Sequence, residues 1–367
     1  MSDWTEEWIM RALESGDEAR LDIARLFIAS QDEPFRDPQY TLQLLDEARN
    51  LAFQLNELWW VLKCDFWKMQ ALRWGLSDYK TALDLAVRSS VEARKRVYAG
   101  CEYRVHIHLE LVANYAGVDA CGYAQRVHEA LQFLESEALT TSNCHFMLHE
   151  ARSDFAFEKE LGCGTNNWNE AHDAALNYLA AAQQSSSRFE RDHYSSNSFY
   201  RLCRVAHQQQ SWDEMIEYSK SGEECARRRD NHVHLIELLM WRALSERQLQ
   251  REKEAARHYR SALQIASYLG ATPWPGYFDA ACAFHEAKGD LEPSLQMREF
   301  QLKCLQDKGQ NALEARGHWH RCHLMGELGR LTAADLQAAS EVAQRLVEPQ
   351  RALHKLEQLR IEYSMGE

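Results

Sequence analysis

The sequence predicts an all-α chain arranged as an α-solenoid of about eight antiparallel helix pairs, and three observations predict it. First, a short phrase recurs: a polar residue, a large apolar residue, two polar residues and a small one. It reads Asp78-Tyr79-Lys80-Thr81-Ala82, Asn167-Trp168-Asn169-Glu170-Ala171 and Ser211-Trp212-Asp213-Glu214-Met215. Weaker copies begin at Arg251, Asp290 and Arg330, and the second positions of the last five copies are separated by 44, 40, 39 and 40 residues. Self-similarity at such a period marks stacked structural repeats. Second, the six prolines leave residues 39–272 free of one. Since proline inside a helix costs about 3 kcal/mol, so long a proline-free run favours helix throughout. Third, β-branched and aromatic residues never alternate for long, which argues against strands.

The elements follow in order. An opening helix spans 3–14, with Trp4, Trp8 and Ile9 as its apolar edge. Pairs of A and B helices occupy 15–347. The A helices are expected near 17–30, 56–75, 97–115, 143–161, 194–209, 233–249, 275–288 and 311–328. The B helices are expected near 38–54, 78–95, 119–137, 168–184, 212–229, 252–268, 291–307 and 332–347. A capping helix at 350–363 presents Leu353, Leu356 and Leu359 to cover the end of the stack. No Pro-, Gly- or Ser-rich linker interrupts this order, so residues 1–367 read as a single repeat domain. At the turns, Ser211 with Glu214 and Asn167 with Glu170 form capping-box pairs. Gly289-Asp290 and Gly329-Arg330 end one helix with a residue tolerant of positive φ and begin the next at once.

Composition narrows the function. The net charge is −13, with 42 basic against 55 acidic residues, which disfavours a nucleic-acid partner. Residues 1–50 hold 12 acidic and 5 basic side chains, while 220–260 hold 10 basic and 7 acidic, including Arg227-Arg228-Arg229. That basic run reads as a solvated helix end favoured by the helix dipole. The ten cysteines are spread singly, without a CxxC pair, and read as small core residues of a protein in a reducing compartment. The first residues are acidic with no signal-peptide core, and no apolar stretch approaches the ~20 residues that span a bilayer. The expected address is the cytoplasm, with no membrane association.

Candidate chemistry is sparse. His145 and His149 stand one helical turn apart, but no third metal ligand accompanies them. His318, His320, Cys322 and His323 cluster in six residues, yet fan around a helix axis, so no metal site is expected there. His106 with His108, and His232 with His234, point to opposite helix sides. No phosphate loop or nucleophile elbow is present, so no cofactor is expected and the chain reads as non-enzymatic. Trp60, Trp67 and Trp74 recur every seven residues as one stripe, with Trp59 beside it. The stripe is expected to pack against the neighbouring repeat.

The spacing of Cys203, Trp212, Met215 and Tyr218, repeated by Ala243, Ala255, Tyr259 and Ala262 and by Cys282 and Ser294, resembles the tetratricopeptide repeat. The resemblance covers residues 56–347 and is clearest in 195–335. The period, nearer 40 than about 34 residues, resembles the long-helix variants of kinesin light chain and of bacterial regulatory sensors. The resemblance implies a right-handed superhelix whose concave face binds a partner's peptide or helix. The groove positions it implies are Trp67, Asn197, Tyr200, Arg204, His207, Arg316, Trp319 and His323. It implies a non-catalytic adaptor or regulatory subunit with a protein partner. The alternatives are an α/α-barrel enzyme such as a glycoside hydrolase, which needs two carboxylates at one mouth, and a peptide-sensing regulator.

Overall fold

A computed structural model describes residues 3–31, 37–76, 78–137, 139, 141–164, 167–269, 275–306 and 308–363. The fold is all-α, 83% helical, with no strand among the described residues. Consecutive helices pack neighbour to neighbour, an arrangement consistent with a helical-repeat solenoid. The chain forms two compact units: residues 1–118, 125–144 and 307–309 make unit 1, and residues 119–124, 145–306 and 310–367 make unit 2.

Unit 1 is built on α1 (Asp3–Ser15), α2 (Glu18–Gln31), α3 (Pro38–Gln54), α4 (Leu58–Gln70), α5 (Tyr79–Ala93), α6 (Tyr103–Asp119) and α7 (Ala124–Ser136). Its core gathers Trp8, Ile23, Phe27, Leu45 and Trp60, so the expected apolar edge of α1 closes on α2, α3 and α4. The Trp-rich helix ends in a wider π turn, Ala71–Gly75, closed by a bond from Leu76 N to Ala71 O. The next expected A helix starts six residues late, at Tyr103. A 3₁₀ turn at Arg96–Tyr98 and Gly100 at φ +85° occupy the stretch before it.

Unit 2 contains α8 (Ser142–Cys163), α9 (Trp168–Gln183), α10 (Arg188–Gln208), α11 (Trp212–Arg228), α12 (His232–Gln248), α13 (Glu252–Leu269), α14 (Pro275–Glu286), α15 (Leu291–Leu305), α16 (Asn311–Glu327), α17 (Ala333–Ala343) and α18 (Gln350–Glu362). Even-numbered α8–α16 are the A helices and odd-numbered α9–α17 the B helices. Four A-to-B turns share one geometry. Gln210, Gln250, Gly289 and Gly329 each adopt positive φ, between 56° and 79°. The following N–H groups of Ser211, Arg251, Asp290 and Arg330 bond back to the carbonyls of Ala206, Glu246, His285 and Met325 at 2.8–3.0 Å. This is the Schellman closure, here recurring every 39 or 40 residues.

The closure corrects the expected capping boxes. At Ser211 the backbone N–H is already held by Ala206, and at Asn167 by Glu160 Oε2, which leaves Glu214 and Glu170 no N-cap N–H to accept from. Neither N-cap side chain bonds into its helix. A capping box does form at Thr332 with Asp335, whose N-cap N–H is free of such a bond. In addition, α10 begins at Arg188, earlier than expected, because Ser187 caps it through the Glu190 N–H.

The repeated small positions explain three of the ten cysteines. Cys203, Ala243, Cys282 and Cys322 are fully buried on α10, α12, α14 and α16. The three thiols donate to the carbonyls of Met215, Ser294 and Asp335, tying each A helix to the first turn of its B helix. The reading of all ten as unpaired is corrected at one place: Cys121 and Cys163 are joined as a disulfide, with Cα atoms 5.9 Å apart. They lie far apart in sequence, so only the tertiary fold brings them together.

Unit 2 also returns upon its own beginning. Asp119 accepts from the Val347 N–H at 2.9 Å, and Arg351 donates to the Gly162 carbonyl. A side chain at Gly164, which has φ +57°, would meet the Arg351 guanidinium.

Candidate functional site

The face of unit 2 on which its A helices meet, here called the inner face, carries three of the expected groove residues, Asn197, Arg204 and Arg316, and its chemistry begins on α8. Glu150, Asp154 and Glu158 recur every four residues and therefore share one face. Opposite them α10 presents Asn197, Arg201 and Arg204. Arg201 grips Asp154 with two bonds of 2.8 Å and reaches Glu150 at 3.1 Å. Asn197 donates to Glu150 at 2.8 Å and to the Tyr178 hydroxyl at 3.3 Å. Arg204 donates to Glu158 Oε1 at 2.7 Å, and its guanidinium lies 3.8 Å from the Phe157 ring centre.

The other oxygen of Glu158 accepts from Arg316 on α16 at 3.4 Å. Arg316 in turn stands 4.0 Å from Asp279 on α14, which holds Arg298 of α15 at 2.9 Å. Arg298 donates to His320 Nδ1, and the other ring nitrogen of His320 meets Glu286 at 3.2 Å. The first and fifth A helices of the unit are thus joined across its inner face by one carboxylate.

The electrostatics follow from burial against pairing. Burial opposes the charges of Arg201 and Arg204, but Asp154 and Glu150 around the first, and Tyr200 and Glu158 around the second, more than offset it and raise both above the usual arginine value. Burial would likewise raise Glu286, yet hydrogen bonds from His320 and Ser294 bring it down to about 2. Glu237 on α12 is the exception. It is 1% exposed, neither carboxylate oxygen has a hydrogen-bond partner, and burial pushes it up to about 8 despite Arg204 and Arg201.

The expected groove residues therefore divide. Asn197, Arg204 and Arg316 meet around the α8 carboxylates. Tyr200 is buried in the core, its ring parallel to that of His234 at 6.0 Å. Trp319 and His323 stack on each other at 5.8 Å, with Lys355 of α18 over the indole and the Tyr363 hydroxyl on His323. His207 lies beside Trp241 and borders a pocket of about 410 Å³ at the ends of α10, α12 and α14. Gln208, Gln210, Trp212, Gln248 and Glu286 complete most of its lining. Trp67 belongs to unit 1, half-buried against Phe66 and Phe27. The stripe it was expected to form packs as core at Trp60, while the side chain of Trp74 lies outside the described residues.

The histidine clusters resolve into separate contacts. In 318–323, Cys322 is fully buried and His320 and His323 face the partners named above. The rings of His145 and His149 meet edge to face at 4.6 Å. His106 and His108 are both buried, whereas His234 is buried and His232 exposed. Among the described residues no group of three His, Cys, Asp or Glu side chains is placed to hold a metal ion. The arginine run also finds partners: Arg228 holds Asp192 at 2.8 Å and Arg229 covers Phe189.

No family model and no curated protein matches this chain. Among the described residues no helix is long and apolar enough to cross a membrane.

Sequence reasoning missed Glu150, Asp154, Glu158, Arg201, Glu237, Asp279 and Arg298. A signal was present for three of them, since acids at 150, 154 and 158 mirror the polar and basic residues at 197, 201 and 204.

Proposed function

We propose that this chain is a non-catalytic interaction module of the tetratricopeptide type, a right-handed superhelix that seats a segment of a partner protein along the A-helix ends of unit 2. One observation carries the reading: the four matching turns at 210, 250, 289 and 329, which set successive hairpins in register, with the 410 Å³ pocket beside the first two. Stacked hairpins of this kind present extended surfaces to other chains. The amides of Gln208, Gln210 and Gln248 can both donate to and accept from a peptide backbone, Trp212 offers an apolar wall, and Glu286 accepts from a cation. An adaptor or regulatory subunit is the setting that suits such a surface. A hydrolase would need carboxylates open to substrate, and those of Asp154, Glu158 and Asp279 each hold an arginine.

The test is selection of peptides from a random library on the full chain, repeated with Gln208→Ala and Gln248→Ala together. A consensus peptide whose binding falls about tenfold or more in the double variant supports the reading. Failure to enrich any sequence, or equal binding by both proteins, overturns it.

A further inference from the structure

The opening helix and the tryptophan-rich helix of unit 1 enclose a second cavity with a different chemistry. Trp4 meets Trp59 and Trp60 edge to face at 5.5 and 5.8 Å, and Trp8 lies 5.0 Å from Trp60. These four indoles, with Arg11, Arg20 and Glu57, line a pocket of about 550 Å³. Small-ligand sites commonly measure roughly 300–1,000 Å³, with mostly apolar walls and a few placed polar groups.

The walls are held from behind. Lys63 is 2% exposed, and its ammonium lies 4.7 Å from the Trp60 ring and 5.4 Å from that of Trp4. It also faces Phe27 at 4.4 Å and Tyr103 at 5.7 Å, and donates to Thr5 Oγ1 at 2.9 Å. A cation among ring faces fixes their orientation. The charge around the cavity is unbalanced. Glu57 is the carboxylate in the lining, and it is consumed: one oxygen accepts from Arg20 at 2.6 Å and the other from the Trp8 indole at 2.9 Å. Arg20 is further shared with Asp17. Arg11, exposed at the rim, makes a single bond, from Nε to the Glu7 carbonyl, so its two terminal nitrogens are unengaged. Among the described residues two cations thus have no ion-pair partner: Arg11 at the mouth and Lys63 behind the floor, the latter with Glu102 the only carboxylate whose field favours its charge.

We propose that this pocket binds a small aromatic carboxylate, its ring against the indole wall and its carboxylate on the Arg11 guanidinium. The edge-to-face setting of the indoles suits a flat ring. A guanidinium offers paired donors that match a carboxylate, and such charge-assisted bonds are the stronger kind. An aromatic cage can also take a cation, but here that place is filled by Lys63, and Arg11 repels a second one. The site lies in unit 1 and does not depend on the peptide reading of unit 2.

The experiment titrates the full chain with phenylacetate, followed by tryptophan fluorescence and calorimetry, against the neutral isostere phenylacetamide and the cation benzyltrimethylammonium. The expected result is saturable phenylacetate binding at least about tenfold tighter than either comparator. Arg11→Gln, at an exposed position, should bring phenylacetate down to the affinity of the amide, and Trp59→Ala should weaken both. Equal affinity for acid and amide, preference for the ammonium compound, no saturation by about 10 mM phenylacetate, or an Arg11→Gln protein that binds the acid unchanged would each overturn the proposal.

Discussion

Lys63 in unit 1 and Arg201 in unit 2 are both nearly sealed from water, at 2% and 4% exposure, but the two units compensate their charges differently. Unit 1 surrounds its ammonium with ring faces and one hydroxyl. Unit 2 sets its guanidinium against two carboxylates. Ring quadrupoles offset only part of the desolvation, so burial lowers Lys63 to about 8, whereas carboxylates hold Arg201 firmly charged. A buried cation among rings is easily discharged and leaves few obligations to its neighbours. A buried ion pair binds distant helices, but removing one member strands the other.

The largest expected effect tests that last point. Arg201→Met leaves Asp154 and Glu150 without their shared partner and should cost about 3 kcal/mol in urea-induced unfolding. A loss below about 1 kcal/mol would show that the α8 acids are content in water and that the pairs do not hold the inner face. In unit 1 the matching change, Lys63→Met, removes a charge that no carboxylate holds in an ion pair among the described residues. Its stability at pH 7 should equal or exceed that of the parent by about 1–2 kcal/mol. The folded parent releases the Lys63 proton near pH 8, but the unfolded chain keeps it to about 10.5. Parental stability therefore gains from this group as pH rises between those values, and thermal melts of Lys63→Met should lack the gain.

Glu237→Gln sharpens the comparison within unit 2, where that carboxylate has no partner. Its folded value of about 8 lies above the ordinary 4.5, so its contribution is full below pH 4.5 and is lost as pH rises through 8. The Gln variant should match the parent at pH 4 and surpass it increasingly up to pH 8. A constant difference across melts in that range would contradict the assignment. The smallest effect concerns the turns. Gln210 and Gln250 take a backbone conformation that glycine adopts without strain, at φ of 56° and 60°. Each Gln→Gly change should stabilise by a few tenths of a kcal/mol, up to about 1 kcal/mol, after the entropy of the unfolded chain is counted. Gly289→Ala and Gly329→Ala should cost about 1 kcal/mol from backbone strain alone, because an added Cβ at either site meets nothing within 4 Å.

Legibility in the sequence followed locality. The starts of α9, α11 and α15 were readable from the phrase alone, because a large apolar residue after a polar one opens each of them, and α13, which opens on Glu252, was readable from its spacing to the other copies. The turn geometry was readable at Gly289 and Gly329 but hidden at Gln210 and Gln250, where glutamine stands at the same backbone position. Around α6 and α7 the phrase is absent, and there the expected starts drifted by about five or six residues. The inner face was half legible. Register placed Asn197, Arg204 and Arg316 on A helices, but Glu158, which joins the last two, is 158 residues from Arg316 in sequence, and no local pattern announces that meeting. The Cys121–Cys163 pairing was invisible for the same reason.

The return of Val347 and Arg351 onto Asp119 and Gly162 has a consequence for how this chain can change over time. An open array grows or shrinks by a hairpin without penalty, since each layer touches only the next. Here the tally of hairpins between residues 163 and 345 is counted by the meeting itself. Duplicating one of them would carry Arg316 away from Glu158 and leave the tail with nowhere to land. This stretch should tolerate exchanges of residues far better than changes in copy number.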